Sequence, residues 1–205
     1  MNNNFSVYPE MSLYSIAGER KYLTATERKR FYKALSVLSE PKERSFAEVI
    51  FWTGCRPCEA LSMTFNQILI DDGFVIIRSA KKRGKLKGTH FRPIPLPQRF
   101  IERLEHTHSI SDQQQNPETA SNRIWSFSRT TGWRLINKVM TEAGISGIHA
   151  CARGLRHSMG VHAIMSEIPV TRLQKWLGHA SLSTTSIYVN VIGYEDRNLA
   201  KRMWG

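Results

Sequence analysis

Three short basic stretches carry side chains able to do chemistry. The first is Thr53-Gly54-Cys55-Arg56-Pro57-Cys58-Glu59-Ala60-Leu61 and the second is Arg153-Gly154-Leu155-Arg156-His157. The third is Leu177-Gly178-His179-Ala180-Ser181, with Thr184-Thr185-Ser186-Ile187-Tyr188 behind it. Guanidinium groups stay charged and present parallel donors, so Arg56 and Arg156 suit an oxyanion on which charge grows during a reaction. An imidazole at His179 would add a donor. The phenol of Tyr188 is a nucleophile able to form a covalent link. Each residue alone has a plainer use. Arg56 could only neutralise Glu59 one turn on. Arg156 could be a surface cation, His179 a helix cap after Gly178, and Tyr188 a core residue with a satisfied hydroxyl. His149 and His162 sit in no motif, so core or surface positions are their default.

The charge balance narrows the chemistry. The 205 residues hold 29 Lys and Arg against 17 Asp and Glu, a net charge of +12. Such an excess favours an anionic polymer as partner, nucleic acid ahead of a membrane surface. Arg78, Lys81, Lys82, Arg83, Lys85, Lys87 and Arg92 form a run of cations with no acid between them. A solvated charged loop is the plain reading of that run, but strand-like apolar residues flank it on both sides. Three cysteines are too few for a disulfide framework. Cys55 and Cys58 are spaced as in a redox motif, or as half of a zinc site completed by His149 and Cys151; small packing residues are the better reading. No run of about 18 apolar residues offers a membrane span, and the N-terminus lacks the pattern of a secretory signal.

These residues need elements to hold them. Residues 1–22 read as a loose polar arm. Thr24 and Glu27 have the spacing of a capping box that opens a helix carrying Phe31, Ala34, Leu35 and Leu38. A second helix is expected to start at Ser45, with Glu48 as its capping partner, and to end at Gly54, and a third from Pro57 to about Met63. Asp71-Asp72-Gly73 marks a turn, followed by a strand at Phe74–Arg78. His90–Leu96, with two prolines, reads as an edge strand that closes a hairpin with a cationic tip. Residues 106–123 are expected to form a surface loop. Trp133, Ile136, Val139, Met140 and Ala143 have helical spacing up to Gly144. Further helices are expected over 154–166, 170–177, 181–190 and 194–203. The sum is an α+β fold, mainly helical, with a small antiparallel sheet packed among helices.

Two arginines, a histidine and a tyrosine in this order, with a basic hairpin between the arginines, resemble the tyrosine recombinases, or phage integrase family. The resemblance runs from about Tyr22 to Trp204. It covers a T-G-x-R-x-x-E-x-L box at 53–61, a hairpin lysine at 81–82, a G-L-R-H box ending at His157, an L-G-H box at 177–179 and a tyrosine nine residues beyond His179. It implies a tyrosine-recombinase catalytic domain over 23–205 behind an arm of 1–22, without the core-binding domain usual in the family, as in the fimbrial-switch recombinases of bacteria.

What the resemblance implies is site-specific cleavage and rejoining of DNA through a 3′-phosphotyrosyl link, serving integration, inversion or resolution. Neither metal, ATP nor other cofactor is expected. Arg56, Arg153, Arg156 and His179 would face the scissile phosphate, Tyr188 would attack, and Lys81 or Lys82 would protonate the leaving 5′-oxygen. Adjacent strand residues face opposite ways, and Lys81 is preferred as the first cation after the strand. Lys82, Arg83, Lys85 and Lys87 would contact DNA. Arg153 stands where the family most often has His; Arg cannot act as a base, so a phosphate contact or a tyrosine-orienting role is expected. His157 could partly substitute, although family members usually give it a structural role. Glu59 would tie the arginine boxes together. The expected partners are double-stranded recombination sites, a tetramer on DNA and an accessory DNA-bending protein, in the bacterial cytoplasm on nucleoid or plasmid DNA. A tail helix bearing Leu199 and Met203 would pack either on a neighbouring protomer or on its own core. The rivals are a catalytically silent DNA-binding accessory factor of the same fold and a type IB topoisomerase.

Overall fold

The computed structural model describes residues 12–79, 90–189, 200, 201, 203 and 204. Within them lie nine α-helices and a three-stranded sheet. Helix α1 (Ala25–Ala34) opens on the expected capping box: Thr24 Oγ1 accepts from Glu27 N–H and the Glu27 carboxylate accepts from Thr24 N–H. Helix α2 (Pro41–Thr53) begins four residues before the expected start, because Pro41 is pre-organised for a first helical turn. Ser45 therefore caps nothing. It lies inside the helix, where its hydroxyl donates to Lys42 O at 2.9 Å and hydrogen-bonds buried His108 at 2.8 Å. Glu48 instead accepts from Tyr32 Oη and Trp52 Nε1 and pairs with Arg103. Gly54 ends α2 at φ +61°, a left-handed conformation suited to glycine.

Helix α3 (Pro57–Leu61) follows as expected. The sheet is antiparallel in the order β1 (Ile68–Leu69), β2 (Phe74–Arg78), β3 (Phe91–Pro95), so the hairpin is real and its proline-bearing strand lies at the edge. Alternate residues Arg92 and Ile94 of β3 face inward. Strand β1 was not anticipated. Nor was helix α4 (Gln98–His108), whose Phe100, Ile101, Leu104 and His108 are buried at helical spacing. The expected loop at 106–123 is replaced in part by the end of α4 and by α5 (Ile110–Gln115), with Ile110 fully buried. A single apolar anchor at Ile110 was enough to dock a short helix.

Helices α6 (Arg129–Glu142), α7 (Ala152–Met165), α8 (Val170–Leu177) and α9 (Ser183–Ser186) complete the described chain. The buried stripe of α6 is Leu135, Ile136, Val139 and Met140, and Trp133 is 62% exposed, outside the stripe expected for it. The main core joins α1, α2, α3, α4, α6 and the sheet. A second cluster joins α7, α8 and Tyr188 to Leu13 and Tyr22. Residues 12–22 are thus not loose. Leu13 and Tyr22 are 2% and 1% exposed, and an antiparallel bridge pairs Tyr14 with Arg20. Of the predicted tail helix, only Ala200, Lys201, Met203 and Trp204 are described; Met203 and Trp204 are exposed. Among the described residues no helix is long and apolar enough to cross a membrane.

Candidate active site

Helix α2 ends in the left-handed turn at Gly54, and the chain then starts α3 at Pro57. Arg56 caps that start, half-buried, with its backbone N–H donating to Glu59 Oε2 at 2.9 Å. Its guanidinium donates to Glu59 Oε1 at 3.0 Å. The plain role thus holds as well: Arg56 does pair with Glu59. The other carboxylate oxygen of Glu59 accepts from Arg92 Nη2 at 2.6 Å. Arg92 also donates to Trp176 O and Ser79 Oγ, both at 2.8 Å. Glu59 was expected to join the two arginine boxes; its second partner is instead Arg92 of β3, counted from the sequence as one more cation of the hairpin. Burial would raise the Glu59 pKa, but hydrogen bonds and charge from Arg92, and then Arg56, outweigh it and hold the carboxyl below its usual range.

Arg156 is no surface cation. It is 8% exposed on α7, donates Nη1 to Gly54 O at 2.8 Å and donates Nη2 to Leu177 O. Those carbonyls belong to the first and third sequence boxes, so this one guanidinium stitches all three together. Burial lowers its pKa to about 10, which leaves it charged at neutral pH. Gly154 makes its register possible: a Cβ there would lie 1.9 Å from His149 O.

Gly178 ends α8 at φ +66°, and His179 N–H then donates to Gln174 O at 3.1 Å. The His179 ring hydrogen-bonds Thr185 Oγ1 through Nδ1 at 2.9 Å. Burial first, then the charges of Arg156 and Arg56, push its pKa down to about 3, so the ring is neutral. Tyr188 lies 1% exposed beyond α9, its ring 6.3 Å from that of His179 and nearly parallel to it. Its hydroxyl is 3.1 Å from His157 Nδ1 in a hydrogen bond. Burial raises the phenol to about 12 against the opposing pull of Arg156 and Arg56. His157 is pushed down to about 4 by burial and by the charges of Arg156, Arg153 and Lys21. Gly160 gives the phenol its seat, since a Cβ there would meet the Tyr188 ring at 2.5 Å.

These side chains share one cleft of about 770 Å³. Arg56, Arg153, Arg156, His179 and Tyr188 all line it, together with His157 and Lys21, and among the described residues no Asp or Glu does. Arg153 is exposed at its rim. Lys81, Lys82, Arg83, Lys85 and Lys87 lie outside the described residues. Sequence reasoning underrated His157, whose adjacency to Arg156 was visible but whose partner lies 31 positions away. It missed Lys21 altogether. Cys55 is buried, its thiol pushed up to about 11, and Cys58 is exposed; the pair is unbonded. His149 contacts Glu27 and Arg20, and His162 lies exposed on α7.

Comparison with known proteins fits this geometry. Tyrosine recombinase XerA of Pyrococcus furiosus is 28% identical over 188 residues, which cover 89% of this chain and 61% of that protein. Tyrosine recombinase XerD of Neisseria meningitidis is 24% identical, over 73% of this chain and 50% of its own. This chain therefore spans less than two thirds of the length of those relatives. Among solved structures, XerA recombinase superposes with a TM-score of 0.71 at 23% identity, over 89% of this chain and 64% of that one. The catalytic domain of bacteriophage HP1 integrase gives 0.61 at 16% identity, over 88% of this chain and 93% of that domain. Residues 21–193 match the profile of the phage integrase family. The chain belongs to the phage integrase family.

Proposed function

We propose that this chain is a site-specific DNA recombinase that nicks and reseals DNA with Tyr188. The observation that carries the reading is the one cleft lined by Arg56, Arg153, Arg156, His179 and Tyr188, with no acid among its described lining residues to repel a phosphate. The phenol oxygen attacks phosphorus, the bond to the 5′-oxygen breaks, and a 3′-phosphotyrosyl ester stores the bond for rejoining. Arg56 and Arg156 neutralise the non-bridging oxygens as their charge grows. Arg156 is spanned between two carbonyls, so its position is set before DNA arrives. We assign Thr185 Oγ1 as the donor to His179 Nδ1, which leaves the ring proton on Nε2 to hydrogen-bond the same phosphate.

The phenol proton needs an acceptor, and Arg153 cannot be one. Neutral His157 accepts it at Nδ1, across the 3.1 Å hydrogen bond. Lys81, or its neighbour Lys82, supplies the proton for the 5′-oxygen. Lys82, Arg83, Lys85 and Lys87 hold flanking phosphates. The partners are duplex recombination sites of bacterial nucleoid or plasmid DNA, synapsed by a tetramer with an accessory DNA-bending protein.

The test begins by selecting bound duplexes from a random pool. The selected sites are then rebuilt with a nick near the cleavage point. The wild type should accumulate a covalent protein–DNA adduct and Tyr188→Phe none. Tight binding without any adduct from the wild type would instead leave a silent accessory factor, and relaxation of arbitrary supercoiled plasmid would indicate a topoisomerase.

A further inference from the structure

The stretch before α1 does more than lead into the fold. Residues 12–20 lie outside the part of the chain that matches the family profile, which begins at Lys21. They nevertheless form a turn packed beside the cleft. Lys21 N–H donates to Leu13 O and Ser15 N–H to Glu19 O, both at 2.8 Å, around Gly18 at φ +77°. Leu13 and Tyr22 clamp the two ends of this turn into the cluster that also contains Tyr188.

Its two consecutive cations are handled differently. Arg20 pairs with Glu27 at 2.9 Å and lies 5.5 Å over the Tyr22 ring. Lys21, the next residue of an extended segment, faces the other way. It lines the cleft with Arg56, Arg153 and Arg156, and its charge reaches the His157 ring. Ser15 and Ile16 of the same turn line the cleft as well, Ile16 being 91% exposed.

We propose that this N-terminal turn is a wall of the DNA-binding cleft, and that Lys21 is a phosphate-binding residue presented by it to the strand being cut. This rests on reading the cleft as a DNA-phosphate site. A cation held there contacts the scissile phosphate or its immediate neighbour, because the buried Tyr188 phenol opens on the same space. It adds charge from a part of the sequence far from the three boxes.

The experiment measures binding of selected duplexes by the full chain across 50–200 mM salt, for the wild type, Lys21→Gln, Lys21→Met and Lys21→Arg. One lost phosphate contact lowers the slope of log affinity against log salt by about 0.9, so the neutral variants should lose about threefold less affinity over that range than the wild type. Lys21→Arg should restore the slope. A lysine that merely braced the turn would lower the melting temperature and leave the slope alone. Unchanged slopes in both neutral variants, with melting temperatures intact, overturn the proposal; so does a slope that Lys21→Arg fails to recover. The adduct assay is read separately. A reduced slope in a protein that forms no adduct keeps Lys21 as a phosphate contact and removes the recombinase reading alone.

Discussion

Gly160→Ala isolates the seat of Tyr188, the proposed nucleophile. In an open helix interior this exchange stabilises by about 0.5–1 kcal/mol, since glycine loses more backbone entropy on folding. Here the new Cβ would lie 2.5, 2.6 and 2.7 Å from the Cε1, Cζ and Cδ1 atoms of Tyr188. Carbon contacts are optimal at about 3.5–4.0 Å, so the ring must retreat by about 1 Å. It has little room, being 1% exposed and packed in a cluster with Met159 and Leu177. Overpacking of this kind costs about 1–3 kcal/mol. The net effect is a loss of about 1 kcal/mol, or a melting temperature about 2–4 °C lower for a chain of this size. A 1 Å retreat also stretches the 3.1 Å bond to His157 beyond hydrogen-bonding range. Thermal melts and adduct kinetics should therefore both change, with adduct formation slowed while DNA affinity is kept. Gly154→Ala should be worse in stability, because its obstacle is the rigid backbone oxygen of His149 at 1.9 Å. A Gly160→Ala protein that melts higher than wild type and forms adduct at the same rate would show that Tyr188 does not occupy this seat.

Other perturbations test other parts of the site. Glu59→Gln strips the charge from a fully buried carboxylate held between Arg56 and Arg92. Leaving buried Arg92 without its counter-ion should cost about 3 kcal/mol in urea unfolding, and an unchanged midpoint would contradict the pairing. His157→Phe keeps an aromatic ring but cannot take a proton, so adduct formation should slow by about 10²–10⁴-fold with DNA affinity kept; an unaltered rate would remove His157 from proton transfer. Stability should fall as pH drops from about 6.5 toward 4. The pKa values of His108 and His157 are depressed to about 4, and that of His179 to about 3. In that window the unfolded chain binds protons that the folded one refuses, so stability present above pH 6.5 is lost on acidification, by at most about 1.4 kcal/mol per pH unit for each histidine. Denaturant midpoints that stay flat from pH 7 to 4.5 would refute this.

Local signals in the sequence were legible where the interaction was itself local. Thr24 and Glu27 are three residues apart, and both bonds of their capping box formed. Gly54 and Gly178 took the left-handed conformation at helix ends suggested by their placement. The order of Arg56, Arg156, His179 and Tyr188 led to one cleft because Arg56, His179 and Tyr188 sit at helix ends or turns fixed by their own boxes, and Arg156, inside α7, bonds the carbonyls of Gly54 and Leu177. The hidden parts depend on contacts across the chain. Arg92 meets Glu59 from 33 positions away, and nothing in a run of cations marks Arg92 as turning inward. Helix α4 was overlooked although Phe100, Ile101 and Leu104 have helical spacing. Trp133 shared a helical stripe by period, yet the buried face of α6 is rotated toward Leu135 and Val139. Lys21 resembled its neighbour Arg20 in sequence, and only the turn around Gly18 separated their roles.

In the proposed reaction Tyr188 makes and breaks the phosphodiester while the arginines hold it. Its most direct measurement is mass spectrometry of protein trapped on nicked DNA, after nuclease and protease digestion. A nucleotide remnant should be linked to the peptide containing Tyr188, abolished by Tyr188→Phe and strongly reduced by Arg156→Ala. A remnant attached to any other residue, or an adduct that survives in Tyr188→Phe, would contradict it.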